Sequence, residues 1–336
     1  MTKKVRNIFE SMIDKGNIEI ASQKAQKGKK SRQIDVFNSG KDAYIELLHN
    51  NLLDQSFKPG QYRTVIIHDP KERVIKIAPF YPDRIVHHVL MNVIEPIFNA
   101  VYVYNSYACV KGKGGHLCVS DLYKSLQNDC LGTQYCLKID IKKFYDNIDH
   151  DVLKEIISRK INDAKALQLI GQIIDSTEGE KGIPIGNYTS QHFANLYLSY
   201  FDHYCKEQLK IKHYFRYMDD IVILGHSKPY LQSIFRTMSI YLDINLKLTI
   251  KSNWQIFPVE SRQIDFCGYR VNHHGIMLRK RILYNYFHRL NKLQKKKSIN
   301  TLDDLKKSLP SHYGWLMHTS EKHFHHITNK SANGKN

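Results

Sequence analysis

With 336 residues, 42% of them hydrophobic, the chain carries enough apolar material for a buried core in two or three subdomains and falls outside the composition of disordered proteins. No run approaches the roughly 18 apolar residues of a membrane-spanning helix, and the opening MTKKVRNIFE lacks the apolar stretch of a secretory signal, so a cytoplasmic protein without membrane association is expected. The net charge of +18 is concentrated at the ends: residues 1–33 hold nine Lys/Arg against three acids and residues 279–336 thirteen against three, a distribution suited to a polyanion whose phosphates release counterions when neutralised. The six cysteines form no CxxC pair, which argues for reduced, mostly buried thiols. The run His323-Phe324-His325-His326 has no Cys or acid at ligand spacing and is given no metal role.

In chain order, residues 1–60 read as basic helices around an exposed loop, KAQKGKKSR. TVIIH and RVIKIA flank an Asp-Pro turn and predict a basic hairpin, with Lys71, Arg73 and Lys76 near its tip and second strand. DRIVHHVLMNVIEPIFNAV has apolar residues at helical spacing, and Pro96 is expected to bend or end that helix. YCLKID predicts a strand delivering Asp140 at its end, followed by a tight turn and a helix from near His150. KGIPIGNYTSQHFANLYLSYFDHYCKEQL predicts a Gly/Pro loop and a long amphipathic helix. HYFRYMDDIVILG predicts a hairpin with Asp219 and Asp220 at its turn; residues 228–244 read as helix, FPVESRQIDFCGYRV as two short strands, and residues 279–336 as basic helices.

Adjacent carboxylates such as Asp219 and Asp220 raise each other's pKa unless a cation neutralises them. If the strand ending in Asp140 neighbours the hairpin in one antiparallel sheet, three acids converge on one edge. Such a set suits two Mg²⁺ ions, because hard cations prefer carboxylate oxygen and a metal pair stabilises both the attacking and the leaving oxygen in phosphoryl transfer.

The order of motifs resembles that of a reverse transcriptase over most of the chain. The first palm carboxylate of that family matches Asp140 in KIDIKKFYDNIDH, its YxDD box matches Tyr217-Met218-Asp219-Asp220, and its primer grip resembles Phe266-Cys267-Gly268-Tyr269; DRIVHHVL and SYACVKGKGGH resemble finger motifs of the bacterial retroelement lineage. The resemblance implies an α+β right-hand polymerase with fingers, an antiparallel-sheet palm and a helical thumb. It assigns catalysis and metal binding to Asp140, Asp219 and Asp220, with the backbone carbonyl of Ile141 as a further metal ligand. Tyr145 is similar to the aromatic gate that crowds a ribose 2′-OH. Arg73 or Lys76 would meet the incoming triphosphate, Tyr217 and Met218 the substrate, and Lys251 the departing pyrophosphate. Phe266, Gly268 and Tyr269 would hold the primer. Val110 stands where relatives commonly carry Arg, which Lys111 or Lys113 would replace without the planar fork of a guanidinium.

GIPIGNYTSQ departs from the PQG and SP pattern of most relatives: Ile185 occupies the Gln position and Gln191 that of the final Pro. This form, with Gly186 between them, resembles the reverse transcriptases of diversity-generating retroelements, which copy a template-repeat RNA with frequent errors at adenines. The resemblance implies as partners template RNA, a primer/cDNA duplex, deoxynucleoside triphosphates and a small basic ring-forming accessory protein. The alternatives are an anti-phage reverse transcriptase copying a non-coding RNA, and a non-catalytic RNA-binding protein on a polymerase scaffold. The expected domains are an N-terminal extension and fingers (1–84), a palm (85–278) with an inserted finger segment at about 105–135, and a thumb (279–336). From the 68 residues after Gly268 a helical thumb is expected, without an RNase H or endonuclease domain of usual size. Within that segment Tyr313 and Trp315 are expected to pack the thumb in preference to stacking on nucleic acid.

Overall fold

The computed structural model describes residues 4–68, 72–295 and 302–332. The chain divides into two compact units. The first takes in Met1–Val103, Lys142–His203 and Ile240–Thr249; the second takes in Tyr104–Ile141, Tyr204–Ser239 and Ile250–Asn336.

The first unit is mainly helical. Its helices start where short polar side chains satisfy free backbone N–H groups: Asp14 accepts from Asn17, Ser31 from Ile34, Asp149 from Val152 and Asp163 from Ala166. Asp163 also accepts the N–H groups of Ile8 and Phe9, at 2.8 and 2.9 Å, which fastens the N-terminal segment to the helix Ala164–Ile174. The helix Ile85–Asn99 buries Ile85, Val86, Val89, Leu90 and Ile94 at 3.6-residue spacing. Pro96 does not end it. The ring sits in the last turn, where the missing N–H removes a single rung, and the Ala100 N–H closes the helix on the Pro96 carbonyl.

The basic hairpin is present as β1 (Arg63–His68) and β2 (Glu72–Ile77), antiparallel with Arg63 opposite Ile77. Lys71, expected at its tip, lies outside the described residues. The helix Tyr188–Tyr197 differs from its expected amphipathic form: every residue from Thr189 to Tyr197 except Gln191 is buried, and a break at Leu198 separates it from Ser199–His203. Its polar residues Thr189, Ser190, His192 and Asn195 are therefore interior groups, which reading by hydrophobic contrast takes for a solvent face.

The second unit contains two antiparallel sheets. Four strands, β3 (Tyr135–Asp140), β4 (His213–Tyr217), β5 (Asp220–Gly225) and β6 (Gln255–Pro258), lie in the order β4-β5-β3-β6. Strand β5 is interior to the sheet and buried on both faces, with Ile221, Val222, Ile223 and Leu224 all 0–2% exposed. Each such side chain contributes about 1.5–3 kcal/mol of burial, which makes this strand a firm base for an acid at its first position. A second sheet orders β7 (Ile264–Phe266), β8 (Tyr269–Asn272) and β9 (Gly275–Leu278); residues 257–271, expected to form two strands, take in the end of β6 together with β7 and β8, and β9 lies beyond them. The C-terminal segment is helical over Lys280–Gln294, Leu302–Ser308, Pro310–Leu316 and Glu321–Ala332. Tyr286, Leu290, Leu305, Leu309, Leu316 and Ile327 from it join Phe215, Val222, Phe266 and Tyr269 in one apolar core.

Candidate active site

The sheet brings the three acids together. In the β3–β5 ladder Asp140 is directly opposite Asp220, and in the β4–β5 hairpin Tyr217 is opposite Asp220, so Met218 and Asp219 form a two-residue loop. Directly opposed residues of an antiparallel pair project to the same face with Cβ atoms about 4.5–5.5 Å apart. Two carboxylates so placed repel, and the loop adds a third. Asp219 is pushed up to about 6 by burial first, with the charge of Asp140 adding to it. Burial likewise raises Asp220, against the lowering effect of Lys138.

Two lysines stand on these acids. Lys251 Nζ is 2.5 Å from Asp140 Oδ1, and its backbone N–H donates to the Asp140 carbonyl at 2.8 Å. Lys138 Nζ is 3.4 Å from Asp220 Oδ2. Among the described residues no three acid, histidine or cysteine side chains form a ready-made metal cage. The donor set nevertheless suits a hard divalent cation: all three groups are carboxylates, they repel one another, and Asp220 Oδ1 is buried without a hydrogen-bond partner among the described residues. Ile141 is buried, and its bridge to Ile250 runs through bonds of the flanking residues, leaving its own carbonyl outside that bridge.

The turn carrying Asp219 is held from behind by a residue that sequence reading missed. Met218 has φ +55°, a region costly for a side chain of its size. Arg216 is fully buried; its Nη1 donates to the Met218 carbonyl at 3.2 Å and its Nη2 to Ser106 Oγ at 2.9 Å. Its backbone is fixed as well, by Arg216 N–H to Asn105 O and Tyr107 N–H to Arg216 O. An arginine between two strand aromatics carries no local signal of burial, and only the fold reveals that its guanidinium fastens the turn.

The expected primer-grip residues form the β7–β8 hairpin. Cys267 and Gly268 have φ +46° and +85°, and positive φ at both central positions defines the type I′ loop that joins closely paired strands. The rings of Phe266 and Tyr269 are sealed in the core, and Tyr269 OH bonds to His116 Nδ1 and to the Trp315 carbonyl. A Cβ on Gly268 would come within 2.6 Å of the Trp315 ring, so Trp315 packs here as expected. Lys113 donates to the Tyr104 and Ser106 carbonyls, whereas Lys111 is exposed.

The remaining expected residues belong to the first unit. Lys76 N–H donates to the Ile185 carbonyl at 2.9 Å, and both line a cavity of about 180 Å³ with Val74, Asp146 and Ile183. Arg73 is exposed and, by strand alternation, on the ribbon face opposite Lys76. Tyr145 is half-buried, and its carbonyl accepts from Ile183 N–H at 3.0 Å. Gly186 has φ +127°, and a Cβ there would meet the Lys76 carbonyl at 2.5 Å, so the close approach of loop and strand demands glycine. Gly186 and exposed Gln191 border a second cavity, of about 290 Å³, with Lys24, Lys29, Arg84 and Tyr188. Among the described residues no helix is long and apolar enough to cross a membrane.

A family model described as reverse transcriptase (RNA-dependent DNA polymerase) matches residues 68–271, more than half of the sequence, and the chain belongs to that family. It is 24% identical over 175 residues to Protein YkfC of Escherichia coli (strain K12), covering 49% of this chain and 46% of that protein. It is 26% identical over 201 residues to the group II intron-encoded protein LtrA of Lactococcus lactis subsp. cremoris, covering 56% of this chain and 33% of that protein. The chain thus spans less than half the length of either relative. Among solved structures, apo telomerase from Candida tropicalis matches with a TM-score of 0.54 at 14% identity, over 81% of this chain and 56% of that one. A form truncated from its C-terminal domain gives 0.51 at 15% identity, over 67% of this chain and 55% of that one. The fold is that of a right-hand polymerase, as the motif order implied.

Replacing Arg216 with Met removes the guanidinium bonds to the Met218 carbonyl and Ser106 Oγ, a cost of about 1–3 kcal/mol. Denaturant unfolding of Arg216→Met is expected to show that loss together with reduced activity of the intact protein; unchanged stability would remove Arg216 from this role.

Proposed function

We propose that the protein is an RNA-directed DNA polymerase in which Asp140, Asp219 and Asp220 hold two Mg²⁺ ions. The observation that carries this reading is the register pairing Asp140 with Asp220 beside a turn bearing Asp219. The bound ions would supply charge stabilisation for the attacking primer 3′-oxygen and the leaving pyrophosphate. The chain's own residues do the rest. The three carboxylates and the Ile141 carbonyl offer oxygen ligands at the end of β3 and the turn next to it. Lys251, already on Asp140, is the cation assigned to the departing pyrophosphate. The sealed rings of Phe266 and Tyr269 fix the hairpin, so its turn backbone at Cys267 and Gly268 is what meets the primer. Tyr217 and Met218 border the substrate. Tyr145 is assigned the exclusion of a ribose 2′-OH, and Lys76 or Arg73 the contact to the triphosphate. We assign residues 1–84 to the N-terminal extension and fingers, 85–278 to the palm with its inserted segment, and 279–336 to the thumb.

We further propose that the template is the repeat RNA of a diversity-generating retroelement and that a small basic accessory protein assembles with the polymerase. The reading is supported by Ile185-Gly186 and Ser190-Gln191 in place of the usual loop sequence. With its carbonyl taken by Lys76, Ile185 offers only an aliphatic side chain where a Gln would donate and accept hydrogen bonds. A contact worth about 1.4 kcal/mol changes base selectivity tenfold, so one missing amide suffices to relax fidelity.

Asp219→Ala is expected to abolish primer extension on an RNA template while RNA binding persists; robust cDNA synthesis by that variant would contradict the assignment. Ile185→Gln is expected to lower misincorporation opposite template adenine by up to about tenfold. Sequencing of the products decides, and an unchanged error spectrum rejects the fidelity argument.

A further inference from the structure

Lys138 lies two residues before Asp140 on β3, hence on the same face, and in register with Val222 of β5 and Gln255 of β6. Its ammonium makes three contacts. It is 3.4 Å from Asp220 Oδ2, it donates to the backbone carbonyl of Asp265, and it stands 5.7 Å over the Phe266 ring. The Asp265 carboxylate is taken by Arg279, whose Nε is 2.8 Å from Oδ1 and whose backbone N–H donates to the Gly268 carbonyl at 3.0 Å. An unbroken series of polar contacts therefore runs from Asp220 through Lys138 to both ends of the β7–β8 hairpin loop.

We propose that Lys138 is the built-in counter-ion of Asp220, a positioning residue that anchors the acid to the 264–269 hairpin and competes with a divalent cation for its carboxylate. The geometry separates its two attachments. The contact to Asp220 is an ion pair at 3.4 Å, open to displacement by a doubly charged ion, whereas the Asp265 carbonyl and the Phe266 face keep the ammonium seated when that pair is lost. Asp220 Oδ1, which has no hydrogen-bond partner among the described residues, is the oxygen left for the incoming ion. Lys251 occupies the matching position on Asp140, so each of the two opposed acids carries its own lysine. The inference rests on the reading of the three carboxylates as a divalent-cation site.

The test is Mn²⁺ binding to the intact protein without nucleic acid, followed by electron paramagnetic resonance. Removing one positive charge 3.4 Å from a ligand oxygen is expected to make Lys138→Met bind Mn²⁺ about fivefold tighter or more, while Lys138→Arg stays within about twofold of the wild type. Equal or weaker binding by Lys138→Met overturns the proposal. Should that variant fail to fold, Lys138→Gln, which keeps a donor for the Asp265 carbonyl, carries the same expectation and the same contradiction. Asp219→Asn serves as the separate control: wild-type affinity in that variant would sink the cation-site reading itself, whatever Lys138 does.

Discussion

The pairing of Asp140 with Asp220 across β3 and β5 is the constraint on which the site depends. Two like charges opposed in an antiparallel ladder destabilise the sheet, and nothing in the packing of β5 asks for an acid at its first position. The rest of the strand holds it in place: Ile221 to Leu224 are buried on both faces, and β5 is hydrogen-bonded to β4 on one side and β3 on the other. The apolar strand therefore holds the acids where their mutual repulsion would drive them apart.

The repulsion is managed locally and by unlike means. Lys251 and Lys138 neutralise one acid each, Arg216 anchors the Met218 carbonyl so that the turn keeps its positive φ, and burial raises Asp219 toward the neutral range. The β7–β8 hairpin enters the same network through the Asp265 carbonyl, and Trp315 locks that hairpin by filling the space a side chain at position 268 would need. The lysines offset the carboxylates without enclosing them, and Asp220 Oδ1 stays without a hydrogen-bond partner among the described residues, which leaves an oxygen open to a cation.

Much of this is legible in the sequence. Strand ends are the most readable feature where a short apolar run meets an acid, and YCLKID and DIVILG are such runs; the hairpin turn that bears Asp219 follows from the same pattern. Less legible are residues whose role is set by partners far along the chain. Lys138 carries no local signal of its role, which its bond to the Asp265 carbonyl, 127 residues away, reveals. Arg216 pairs with Ser106, 110 residues distant. Tyr188–Tyr197 reads as amphipathic because its buried polar residues resemble an exposed stripe, and Pro96 reads as a breaker although a proline in the last turn removes only one hydrogen bond. Periodicity reports contrast with solvent and does not report which polar groups find partners inside.

The most direct test of the account is the position of a bound divalent ion. Crystals of the protein soaked in Mn²⁺ and measured by anomalous diffraction are predicted to show density within ligating distance of carboxylate oxygens from both Asp140 and the Asp219–Asp220 pair, with the Asp220–Lys138 ion pair opened and the ammonium still on the Asp265 carbonyl. Density confined to other side chains, or Mn²⁺ held by one strand's acid while the opposed one keeps its lysine, would contradict it.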